Sequence, residues 1–284
     1  MPTPSAPEPA ERAALPVAWP LRAWMAVEVA FGLAAIGAVF LRPDQTATNF
    51  AWPIASTVMA ATLGAFYLAS ALLFVLPLFE RRWANVRVMI LPTAAFAAMM
   101  CATTFLHWAA FSQGTRPFAV WLASYVLPPP IFVALYLWHQ RRALPVGRAI
   151  DQPLPAAARA FLRANGLAVT AVALVVFALP ALLVGRGPWP LTPLTVRALS
   201  SWLIGVGLLQ AWMAWENDWR RVRLATAMLL LLPLALLVQL ARFRADVGWS
   251  SPALWLLVGD VIAAGLVAAW LWLGAWRTRA YDAA

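Results

Sequence analysis

The stretch Glu80–Arg87 reads ERRWANVR, and Glu216–Arg223, 136 positions later, reads ENDWRRVR. Both spell Glu-x-x-Trp-x-x-Val-Arg, which raises the question whether one segment of chain has been used twice. The surroundings of each copy decide it. Each follows an apolar run and precedes another, and the chain holds eight such runs, near residues 22–41, 54–78, 88–110, 118–139, 164–185, 197–215, 223–242 and 253–275. Each is close to the roughly 20 residues needed to cross a hydrocarbon core. One copy of the motif therefore follows the second run, and the other follows the sixth.

Composition agrees with a membrane protein. The chain is 63% hydrophobic and 11% charged, with mean hydropathy +0.76, whereas about a quarter of the residues of a soluble domain carry charge. Net charge is +10 and every basic residue is arginine. The arginines lie between apolar runs instead of on one soluble face, so they orient helices and do not point to nucleic acid. With a cytoplasmic N-terminus, 15 arginines fall inside and six outside. The positive-inside rule then places both termini in the cytoplasm. Tryptophans near the run ends, Trp83, Trp138, Trp219 and Trp249 among them, read as interfacial anchors.

Further landmarks recur in order: LRA at Leu21 and Leu162, WP at Trp52 and Trp189, and WL at Trp121 and Trp255. The fold class expected is all-α, a polytopic bundle of about eight transmembrane helices built as two parallel four-helix repeats about an axis along the membrane normal. The divisions are a disordered cytoplasmic tail over 1–20, a first four-span repeat over 21–140, a cytoplasmic linker over 141–163, a second repeat over 164–278 and a short tail over 279–284. Within the linker, PAAARAFLRAN reads as a short amphipathic helix on the inner face.

Lysine is absent, which removes Schiff-base chemistry and a Walker-type phosphate site. Cys101 is the single cysteine, so no intrachain disulfide or CxxC pair exists. No GxGxxG, GxxxxGK[ST], HExxH or GxSxG motif occurs. His107 and His139 lie at opposite ends of their runs, and no metal site or other cofactor is expected. The chain does not read as an enzyme.

Ionisable groups within the runs are the candidates for function, because they are costly in hydrocarbon and persist when partnered. The acids are Glu28, near the inner end of its run, and Asp260, in the outer half of its run; their depths keep them from pairing. Glu28 is placed to snorkel toward the inner interface. Possible partners for Asp260 are His107, Arg197 and Arg242, with Asp44 and Gln113 closing the site from above. The stretch YVLPPPIF puts Pro128, Pro129 and Pro130 near the middle of the fourth run, which should kink or break there. The repeat sets Asp260 opposite Tyr125 or Val126, so the break and the acid occupy equivalent places. The candidate pathway set is Asp260, Tyr125, His107, Arg197 and Glu28. For Asp260, helix–helix hydrogen bonding stands as the alternative to a pathway role, and for Glu28 the alternative is snorkelling.

The stretches WPLTPLTVR, FAWPIASTV and FLHWAAF resemble segments of uncharacterised bacterial integral membrane proteins of similar length. The resemblance implies residence in the bacterial inner membrane and brings no activity or catalytic residue. Two functions remain open: a permease for a small solute or ion, with its pathway between the halves near Asp260, Tyr125 and the broken fourth run, and a non-transporting scaffold, sensor or assembly factor. The lipid bilayer is the one partner the sequence names, and oligomeric state is left open.

Overall fold

A computed structural model describes residues 15–142 and 150–282, with side chains as far as Ala275. Eight helices are long and apolar enough to span a bilayer. They are α1 (Trp19–Leu41), α2 (Thr57–Phe79), α3 (Arg87–Leu106), α4 (Arg116–Arg142), α5 (Ala156–Ala178), α6 (Pro193–Glu216), α7 (Trp219–Arg242) and α8 (Pro252–Asp282). The all-α polytopic bundle expected from the sequence is what forms, an integral membrane protein.

Local chemistry sets the helix ends. The Ser56 hydroxyl accepts from Met59 N at 3.2 Å to start α2, and Thr115 does the same for Phe118 N at 3.3 Å in α4. Thr192 and Thr195 form a reciprocal capping box at α6, with Pro193 in the first turn. Asn217, in the left-handed conformation at φ 49, turns α6 directly into α7. α5 is displaced most from its expected span. It begins at Ala156, so the segment read as a separate interfacial helix is the first turns of α5, and it ends ahead of Pro180.

The four helices of the first half are irregular within the membrane. α1 widens into a π-turn over Ile36–Leu41, α2 breaks at Ala71, α3 contains Pro92 and α4 breaks at Leu127. The α4 break is the one YVLPPPIF predicts. Its three prolines open a new helical segment, where the first turn needs no intrahelical N–H. They supply no donor to the carbonyls of Ser124, Tyr125 and Val126.

Helix pairing repeats across the two halves. α1 packs on α2 and α3 on α4, as α5 packs on α6 and α7 on α8; the halves meet through α3 against α6 and α2 against α7. The two motif copies lie at this junction and exchange contacts. Glu80 pairs with Arg223 at 2.7 Å, and Glu216 pairs with Arg87 at 2.6 Å. Trp83 N donates to Leu15 O at 2.9 Å, and Trp219 N donates to Gln152 O at 2.8 Å. Each acceptor precedes a proline. Trp83 packs edge-on against Tyr136 with centroids 5.6 Å apart, and Trp219 packs so against Trp272 at 5.3 Å.

These contacts bring the ends of α2 and α6 and the starts of α3 and α7 to one arginine-rich face, so α2 and α6 run in the same direction. They also revise two sequence readings. Trp83 and Trp219 are 2% and 6% exposed, so they are packing nodes and not interfacial anchors; tryptophan preference alone does not separate those roles. Residues 15–18, read as disordered tail, are pinned by an antiparallel bridge between Pro16 and Arg82, and α1 begins at Trp19. Residues 1–14 of the expected N-terminal tail, 143–149 of the expected linker and the expected tail at 279–284 lie outside the residues described with side chains.

Between the charged contacts, aromatic rings pack the two halves closely together. Trp202 of α6 tilts against Phe96 of α3 with centroids 4.0 Å apart, and against Phe66 of α2 at 5.7 Å. A Cβ on Gly166 would come within 2.6 Å of Gly207 O, so glycine at both positions lets α5 and α6 approach closely.

Candidate functional site

The irregular helices of the first half surround a cavity of about 300 Å³. Ala38 from the π-turn of α1, Ala71 at the break in α2, Pro92 of α3 and Pro128 at the break in α4 all line it. Irregular backbone is tolerated at membrane depth where it borders protein or a cavity, and here four irregularities converge on one. Trp202, Gly205 and Val206 of α6 close its wall toward the second half. Exposed Ala34 and Val120 lie on the lining as well, so the cavity opens between α1 and α4.

Its walls are mostly apolar and carry aromatic rings from several helices, Phe31, Phe74, Phe96, Trp121, Tyr125 and Trp202 among them. Polar groups are few. Glu28 is 7% exposed, and its Oε1 has no hydrogen-bond donor. The Trp24 indole lies beside the carboxyl, and among the described residues no arginine forms an ion pair with it. The burial overturns the reading of Glu28 as a snorkelling side chain: α1 is turned so that the acid faces the cavity. Tyr67 of α2 and Tyr125 of α4, both buried, share a hydrogen bond between their hydroxyls. Ser70 is also on the lining, and Arg116 is exposed at the rim.

The five sequence candidates divide into three places. Glu28 and Tyr125 share the cavity. Asp260 of α8 lies in the second half, where Asn165 Nδ2 of α5 donates to its Oδ1 at 2.7 Å and to Gln210 Oε1 of α6 at 3.1 Å. None of its expected partners reaches it. The orientation of α8 presents Asp260 to α5, so the partner comes from a neighbouring span and not from the loops above.

His107 and Arg197 form the third place. Arg197 Nη1 donates to His107 Nε2 at 2.7 Å and Arg197 Nε to Phe177 O at 3.1 Å. Burial and then the Arg197 charge hold the imidazole below its usual range. Arg242 instead donates to Phe40 O at 2.9 Å and Leu41 O at 3.0 Å, capping the end of α1.

Sequence reasoning missed Tyr67 and Ser70. A signal existed: AFYLAS places a tyrosine and a serine three residues apart, hence on one helix face, in an otherwise apolar run. Among the described residues no cluster of three metal-ligating side chains occurs. No family model matches the chain, and neither curated proteins nor solved structures give a match to it.

Proposed function

We propose that the chain is a permease whose solute, small and largely apolar, occupies the cavity of the first half and reaches it laterally between α1 and α4. The observation that carries this reading is the convergence of four helix irregularities on one cavity that holds a buried, undersatisfied carboxyl. Ligand pockets are concave and mostly apolar, with a few placed polar groups, and broken helices at mid-membrane build solute sites in transporters. The pathway proposed lies inside the first half and not between the halves. In this reading the second half is a parallel duplicate that acts as scaffold, Asp260 is helix–helix glue, and the protein resides in a bacterial inner membrane with the arginine-rich face in the cytoplasm.

Binding of an uncharged fluorescent probe, N-phenyl-1-naphthylamine, to the detergent-purified protein tests this reading. Ala35→Trp, which fills the cavity from α1, should abolish the fluorescence rise. An unchanged rise would remove the cavity as the site. The close aromatic packing of Trp202 against Phe96 and Phe66 between the halves favours a non-transporting scaffold as the second reading, and binding without probe movement across reconstituted vesicles would select it.

A further inference from the structure

We propose that the solute is a lipophilic organic cation, and that cation and proton occupy Glu28 in alternation. The inference rests on the cavity being the solute site and names what it takes.

The cavity combines two features that recognise a cation. Aromatic faces attract ammonium and related groups through the ring quadrupole, most strongly when the cation is desolvated. Phe31, Phe74, Phe96, Trp121, Tyr125 and Trp202 present such rings from α1, α2, α3, α4 and α6. The second feature is the acid. Glu28 carries a buried Oε1 with no donor, with the Trp24 indole beside the carboxyl, and Ser124 and Tyr125, whose carbonyls the prolines of α4 leave without an intrahelical donor, line the same cavity. These oxygens are acceptors. An anion or a hydrogen-bond acceptor in the same place would meet carbonyl oxygens and ring faces of the same sign.

Other charged groups do not satisfy Glu28. The titratable side chains facing it are Tyr67 from α2 and Tyr125 from α4, bonded to each other. α3, α6 and α7 contribute Thr93, Phe96, Trp202, Gly205 and Met228, none of which is charged. Arg116 lies at the rim, at the far end of its helical segment from Pro128.

An isolated carboxylate at this depth is costly, so the empty cavity holds the neutral acid. A cation changes that balance. When it enters, the Glu28 O–H bond breaks, the proton leaves to water at the rim by exposed Arg116, and the carboxylate stays as the counter-ion. One positive charge replaces one proton, and the net charge of the cavity is unchanged. A carrier with this exchange couples outward movement of a cation to inward movement of a proton.

Isothermal calorimetry of the purified protein with benzyltrimethylammonium, which cannot itself titrate, and its uncharged isostere neopentylbenzene tests the exchange. The cation should bind with release of one proton, read from buffers of different ionisation enthalpy. Its affinity should fall by about tenfold for each unit of acidification while Glu28 is protonated, and the isostere should be indifferent to pH. Glu28→Gln should weaken the cation by about thirtyfold or more, the loss expected when a desolvated charge partner is removed, and leave the isostere unchanged. Should that variant not fold, proton release and pH dependence in the unaltered protein decide the question. Isostere binding with no preference for the cation, or cation binding without proton release, overturns the exchange and leaves the cavity as a solute site. If neither compound binds and neither displaces N-phenyl-1-naphthylamine, the cavity reading falls with it.

Discussion

Arg87, at the first position of α3, meets Glu216, at the last position of α6, with guanidinium and carboxylate 2.6 Å apart. The same two motif positions meet with the halves exchanged, Arg223 on Glu80. Each half therefore supplies the counter-charge for the other at the arginine-rich face, as in an isologous dimer contact.

The two pairs differ in environment, and this predicts unequal costs. The Glu216 side chain is 2% exposed and Glu80 10%, while Arg223 is 35% exposed against 15% for Arg87. Glu216→Gln should lower stability by about 3 kcal/mol, the lower end for breaking a buried pair. Glu80→Gln should cost about 1 kcal/mol, as for a partly solvated pair. Thermal melts in detergent compare the two, and equal losses would remove the burial argument. Reversing the Glu80–Arg223 pair by exchanging both residues should recover most of what Glu80→Arg alone loses.

The His107–Arg197 contact predicts an acid-sensitive step. Arg197 donates to His107 Nε2, so the folded state holds the neutral ring, and burial with the arginine lowers its pKa. The unfolded chain takes up its proton near pH 6.5 while the folded chain does not. Stability contributed here is full above that pH and is lost as pH falls toward the lower folded value. His107→Gln should flatten the dependence of melting temperature on pH between about 6.5 and 5. A variant that melts with the parent slope would assign the acid sensitivity to other groups.

Asp260 as helix glue predicts that shape matters more than charge. Asp260→Asn keeps an oxygen to accept from Asn165 Nδ2 and should melt within about 1 kcal/mol of the parent. Asp260→Leu leaves Asn165 and Gln210 without that acceptor and should cost roughly 1–3 kcal/mol. Both should bind cavity ligands normally. Loss of probe binding in Asp260→Asn would move this residue into the solute site.

The arginine distribution predicts orientation. Reporters fused at either terminus should read as cytoplasmic, and one inserted at Gln113, beyond α3 on the opposite face, should read as external. An external C-terminus would contradict the proposed direction of the bundle.

Hydropathy located all eight spans, because a hydrocarbon core demands length and apolarity that few other contexts impose. The break at Leu127 was legible for a similar reason: three prolines leave few choices. The cross-pairing of Glu80 and Glu216 was not legible. Two copies of a motif on one face are compatible with pairing inside each half or between halves; the adjacency of α2 to α7 and α3 to α6 brings about the second, and Glu216 also keeps Arg221 of its own half at 3.5 Å. Glu28 and Tyr125 were named without the cavity that joins them. That cavity depends on the rotation of α1 and on breaks at Ala71 and in the π-turn, where no proline or glycine run marks the sequence. Asp260 pairs with Asn165 and not with the partners expected for it, since depth alone does not say which neighbour a helix faces.

A reciprocal contact such as Glu80 to Arg223 and Glu216 to Arg87 places no demand on the rest of either half. Each side offers one acid and one base, so the closure is satisfied whether the two sides are alike or unlike elsewhere. The four helices of the first half can break and open a space while α5 to α8 each run as one continuous helical segment, and the seam that joins the halves does not register the difference.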